Sequence, residues 1–151
     1  MELPDYIPIP EVQRVCRELG LRDWTQLSDP PKVNPEEAEK ILQIVNVAGM
    51  KIPLEDFIAG LEVELEHGTR FQDANVTNNH PLLTGKIVLA HLKETMDYYR
   101  RLEVAELEGD LLQAMAGGNL EKAARKYAAL LKAKLELAEL ETEEMSKIGR
   151  R

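Results

Sequence analysis

Cysteine is nearly missing: Cys16 is the only one in 151 residues, so no disulfide closes within the chain and no metal site can rest on paired thiolates. A chain of this length buries roughly two thirds of the surface its unfolded form exposes, so a core forms without such staples. Basic residues are the minority charge, 19 against 27 acidic, with a net charge of -8 and a pI near 5.0. Sequence-independent binding to DNA or RNA relies on Lys and Arg replacing condensed cations, so nucleic acid is excluded as a partner, and anionic membrane surfaces are disfavoured for the same reason. No apolar run approaches the roughly 20 residues of a spanning helix, and Met1-Glu2-Leu3-Pro4-Asp5 is not a basic region leading into an apolar one. A cytoplasmic protein is expected. Alternation of β-branched and polar residues is absent as well, which removes strands from the expected fold.

What remains is helical spacing. Residues 1–33 read as a proline-rich arm (Pro4, Pro8, Pro10), a short helix carrying Val12, Val15, Cys16 and Leu19 up to Gly20, and a brief segment with Trp24 that ends at Asp29-Pro30-Pro31. Asn34, Pro35 and Glu37 supply an N-cap, a proline at the first helical position and a carboxylate at the third, and the helix they start ends near Gly49. Pro53 opens the next, with Phe57, Leu61 and Leu65 on one stripe and Gly68 as a left-handed stop. Residues 69–83 read as a loop with Asn75-Val76-Thr77 as a turn, and Thr84 caps a proline-free helix from Lys86 to about Ala116. Gly117-Gly118-Asn119 turns into a last helix reaching Lys147, so residues 84–147 form an antiparallel helical hairpin. The expected fold is all-α: one helical domain over 1–151, with about five helices. Helices this long bury one seam in each other and expose the rest, so a homodimer or higher homo-oligomer is expected.

All three histidines, His67, His80 and His91, fall within 25 consecutive residues, together with Glu62, Glu66 and Glu94. Glu62 and Glu66 are four apart and share one flank of a helix, and His91 and Glu94 are three apart on the next. Mixed N and O donors of this kind suit iron, manganese or zinc, so Glu62, Glu66, His91 and Glu94 form the predicted metal site, with His67 and Tyr98 as neighbours that could join it. The bland alternative is a half-buried His91 held by a carboxylate, with Glu66 and His67 finishing a helix. His80, before Pro81, reads as a turn residue. Cys16 on its apolar stripe reads as a buried thiol rather than a nucleophile.

The segments Gly60-Leu61-Glu62-Val63-Glu64-Leu65-Glu66-His67-Gly68, Asn75-Val76-Thr77, Thr84 to Glu94 and Asp97-Tyr98-Tyr99 resemble a family of small uncharacterised domains of bacterial and phage genomes, over residues 54–102. The resemblance implies a structural unit and no reaction. The chain departs from the family pattern at Asn78-Asn79-His80 and at Thr95-Met96. A fainter similarity links His91-Leu92-Lys93-Glu94 to ferritin-like di-metal bundles, whose Glu-x-x-His order is the reverse. Two functions follow as expectations: a metal-binding helical protein, oxidative or metal-handling if the ion is iron, or a non-catalytic oligomerisation or docking module built on the hairpin. No active-site residue is assigned by either.

Overall fold

A computed structural model describes residues 7–148, and among them six α-helices and two short 3-10 turns account for the secondary structure, without a strand. The chain divides into two compact units, Met1–Met96 and Asp97–Arg151. The expected arm over the first ten residues lies largely outside the described part; where the description begins, Pro10 is already helical.

The first unit holds four helices. Helix α1 (Ile9–Leu19) stops at Gly20, whose φ of 62° is open to glycine at no steric cost. Helix α2 (Pro35–Val45) starts as the sequence predicts: the Glu37 carboxylate reaches back to accept from the Asn34 N–H at 3.3 Å. It ends four residues before Gly49, because the Asn46 side chain closes the turn on both polar groups of Met50. Helix α3 (Leu54–Arg70) and helix α4 (Pro81–Glu94) pack on α2 and on each other. Ile41, Phe57, Leu61, Leu65, Val88 and Leu92 fill the space between the three, and Trp24, in a turn over Trp24–Gln26, is also fully buried. At Gly85 the approach is close: a Cβ there would lie 2.7 Å from Ile41 Cγ2.

Two expectations about α3 and α4 are corrected. Gly68 does not stop α3, which runs on to Arg70. Its role is clearance, since a Cβ at Gly68 would lie 2.1 Å from Asn79 Oδ1 and 2.9 Å from Asn75 Nδ2. The loop is shorter than predicted as a result, and α4 begins at Pro81 with His80 as N-cap, one turn ahead of Thr84.

The second unit is a hairpin. The uninterrupted helix predicted from Lys86 to Ala116 is broken: Thr95 is extended (φ -157°, ψ 141°), and helix α5 (Tyr98–Ala116) starts afresh after Asp97. No proline or glycine marks the break, but a β-branched residue followed by an Asp in N-cap position is a helix-boundary signal. Helix α6 (Leu120–Ile148) returns alongside α5 through Gly117, Gly118 (φ 70°) and Asn119. The register is antiparallel, because Arg101 at the start of α5 meets Glu141 late in α6 at 2.7 Å, whereas Asp110 meets Lys126 at 2.5 Å.

Candidate functional site

Helix α3 presents three glutamates in five residues, and the structure sends them in different directions. Glu62 lies beside the segment before α2, accepting from Lys32 Nζ at 2.7 Å and from the Val33 N–H at 3.1 Å. Glu66 pairs with Arg70 one turn on, at 2.5 Å. Glu64, on the other flank of the Leu61 and Leu65 stripe, faces both imidazoles: Oε1 lies 3.4 Å from His91 Nε2 and Oε2 lies 3.8 Å from His67 Nδ1. Glu64 is mostly buried, His91 half-buried and His67 exposed. Glu94 is exposed at the last residue of α4.

The predicted set of Glu62, Glu66, His91 and Glu94 is therefore not drawn together, and among the described residues no group of three His, Cys, Asp or Glu side chains is placed to hold a metal ion. The reason is rotational. Residues two apart on a helix point about 200° from one another, so Glu62 and Glu66 share a flank that Glu64 does not. The stripe of Phe57, Leu61 and Leu65 tells which face enters the core, and leaves either flank free to be the one beside α4. A carboxylate between two imidazoles can hold their ring orientation. His67 thus joins the cluster at its edge, while Tyr98 belongs to the second unit, packed edge-to-face on Tyr99 with ring centres 5.2 Å apart.

Other polar groups of the first unit serve its architecture. Glu37, buried on α2, receives Arg22 Nη2 at 2.6 Å, Arg22 Nε at 3.1 Å and the Arg22 backbone N–H at 2.8 Å. Burial pushes this carboxyl up, and those bonds with the Asn34 N–H outweigh it, holding the group below the usual carboxylate range. Burial holds the His80 imidazole below its ordinary value; its Nδ1 accepts from the Leu83 N–H at 3.4 Å, which requires that nitrogen unprotonated. Cys16 is buried as predicted, and burial pushes its thiol up, the reverse of what a nucleophile needs. Asn75 makes the predicted turn, its Oδ1 accepting from the Thr77 N–H at 3.3 Å while its Nδ2 donates to the Gly68 carbonyl at 3.1 Å. Gly68 and Asn75 line a polar cleft of about 440 Å³ together with Thr25, Leu27 and Asp29.

A different kind of surface lies on the hairpin. The side chains buried there are few and mostly small: Tyr99, Ala114, Ala123, Leu130 and Ala133. Helix α6 turns Ala123, Leu130 and Ala133 toward α5, and about a third of a turn around the helix it carries a second apolar stripe. Leu120, Tyr127, Leu131, Leu135 and Met145 on that stripe are all more than half exposed, with Ala124, Ala138 and Thr142 between them. Spacings of three and four residues along 26 positions are those of a helix that packs on a second neighbour. The structure thus separates Leu130, which is buried, from Leu131 and Leu135, which are exposed.

No helix among the described residues is long and apolar enough to cross a membrane. No curated protein and no solved structure matches the sequence. The model of the family described as "Protein of unknown function (DUF5661)" matches residues 12–108, from α1 into α5, which is wider than the stretch quoted above and stops before α6; covering well over half of the chain, it shows that the protein belongs to this family.

Proposed function

We propose that the protein is a non-catalytic helical interaction module whose associating element is the α5–α6 hairpin. One observation carries this reading: α6 has two apolar stripes and α5 covers only one. Isolated apolar side chains on a surface need no explanation, but a continuous stripe of Leu, Tyr and Met over seven helical turns loses solvent-excluded packing unless another surface covers it. The test replaces Leu131 and Leu135 with Lys. Helix content and the unfolding midpoint of the dilute chain should stay as they are, and binding of an apolar dye should fall. A large drop in the midpoint or in helix content of the variant would mean that the stripe is covered within the chain, and would overturn the reading.

A second reading, a transition-metal site with His91 as a ligand, has Glu64 in its favour: a carboxylate already directed at two imidazoles supplies both donor types that iron, manganese or zinc accept. Glu62 and Glu66 are engaged by Lys32 and Arg70 and take no part in it. It requires a rearrangement that brings three donors to one point. Metal analysis of protein purified without a His-tag tests it, with His91→Ala as the control; a metal-free parent that takes up no added iron, manganese or zinc at neutral pH ends this reading.

A further inference from the structure

We infer that the occupant of the uncovered α6 stripe is a second copy of this chain, laid antiparallel across it so that α6 pairs with α6 about a two-fold axis near Leu135. This rests on the interaction-module reading and adds to it the partner, the direction and the register.

The argument begins with charge. Between Leu120 and Lys134, α6 carries five basic residues and one acidic, and between Leu135 and Ile148 five acidic and one basic. Its own macrodipole does not account for the division, because the end turns obey the dipole, with Glu121 in the first and Lys147 in the last, and the segregation lies between them. Part of it serves α5: Lys126 and Lys134 reach Asp110 and Glu108, and Glu136 and Glu141 face Arg100 and Arg101. Arg125, Lys132, Glu139 and Glu143 fall on the far flank of the stripe, away from α5, and all four are exposed. Within the helix Arg125 meets Glu121 and Lys132 lies 3.5 Å from Glu136, exposed pairs that hold neither cation firmly.

Antiparallel pairing about Leu135 sets Lys132 against Glu139 and Arg125 against Glu143 of the other copy, twice by symmetry. A parallel pair would instead turn this flank toward the α5-facing flank of the other copy, where Lys134 and Glu141 are already paired with Glu108 and Arg101. Size gives the same answer independently. In the antiparallel register Leu131 meets Ala138, Tyr127 meets Thr142 and Met145 meets Ala124, a large residue opposite a small one each time. In a parallel register Tyr127 meets Tyr127 and Ala138 meets Ala138, which alternates clash with void. An isologous contact requires a self-complementary surface, and this stripe is complementary to itself in both charge and volume.

The experiment uses the full chain with Cys16, which is buried, left in place. Sedimentation equilibrium at micromolar concentration should give twice the 17.1 kDa chain mass. Leu135→Cys should form a disulfide with its own kind under mild oxidation. Ala124→Cys and Met145→Cys should each fail to do so alone and form one when mixed. Reversing Arg125 and Lys132 to Glu should weaken association about tenfold or more, and adding Glu139→Lys and Glu143→Lys should restore it. A 17.1 kDa mass at all concentrations up to about 100 μM would overturn the second-copy inference while the module reading stands on the behaviour of the Leu131 and Leu135 variants. A dimer in which Ala124→Cys bonds to itself would overturn the direction. A dimer indifferent to every α6 substitution would sink both.

Discussion

In Met1–Met96 the largest buried side chains are Trp24, Phe57, Ile41, Leu61, Leu65 and Leu92, each with no more than 2% of its surface exposed. In Asp97–Arg151 the buried apolar set among the described residues is Tyr99, Leu130 and three alanines, and α5 and α6 are tied across their seam by ion pairs such as Lys134 to Glu108 at 2.6 Å. Four helices meeting at one centre enclose side chains on all sides, whereas two helices meet along a line and enclose only what lies in the seam. The first unit therefore draws its stability from its own core. The hairpin draws little from its seam, and exposed ion pairs contribute only about 0–1 kcal/mol each. On the proposed reading, its remaining apolar surface serves association.

The sharpest way to break this contrast is to truncate one large side chain in each unit. Phe57→Ala should destabilise the chain by about 3–5 kcal/mol, since it empties a space between α2, α3 and α4 that no neighbour can fill. Leu135→Ala, at a residue 61% exposed, should cost under about 0.5 kcal/mol in dilute solution. Denaturant unfolding followed by circular dichroism measures both. Comparable losses would mean that the stripe is part of a core.

Next in size is Gly68→Ala. The added methyl would displace Asn79 and with it the Asn75 side chain that donates to the Gly68 carbonyl, for a cost of about 1–3 kcal/mol. A helix former replaces glycine inside a helix here, so propensity alone predicts the opposite sign. An unchanged or raised midpoint would show that the two asparagines move aside freely.

Acid should sharpen the contrast further, because the groups with lowered values that are buried lie in the first unit. His80 has a folded value below its ordinary 6.5, so the folded state binds fewer protons than the unfolded one between the two. The stability it contributes is complete above pH 6.5 and is lost as pH falls through the folded value. Glu37, also lowered, contributes stability present above its ordinary 4.5 and lost as pH falls through its own lower value. Unfolding free energy should thus decline in two steps. His80→Asn, which keeps an N-capping side chain, should flatten the first step and leave the second. Equal slopes between pH 7 and 5 in the variant and its parent would remove His80 from the account.

Within the first unit the smallest expected effect is at Trp24, whose indole N–H is buried without a hydrogen-bond acceptor among the described residues. Trp24→Phe removes that donor along with some volume, two changes of opposite sign, so the unfolding free energy should change by less than about 1 kcal/mol. A loss of several kcal/mol, measured by circular dichroism, would mean that packing of the ring outweighs the unmet donor.

The helices were legible wherever their ends are written locally. Asn34-Pro35-Glu37 starts α2 by satisfying backbone groups within one turn, Gly20 ends α1 by accepting a positive φ, and Gly117-Gly118 reverses the chain between α5 and α6. The break at Thr95 was legible in principle from Thr95 and Asp97, yet the absence of proline and glycine hid it. The candidate cluster was half legible: His91 and its neighbourhood were identified, and Glu64 was passed over for Glu62 and Glu66.

Composition, periodicity and capping residues act over one or two turns of chain, so an all-helical protein with a C-terminal hairpin follows from the sequence alone. Which flank of α3 faces α4, and hence that Glu64 rather than Glu62 meets His91, depends on the side from which a helix distant in sequence arrives. The same holds for Gly68, whose need for glycine comes from Asn79 and Asn75 folding back over it, and for the two stripes of α6, which separate only once α5 has taken one of them. Local chemistry decides that a segment is a helix; the neighbours that pack on it decide what each of its faces is for.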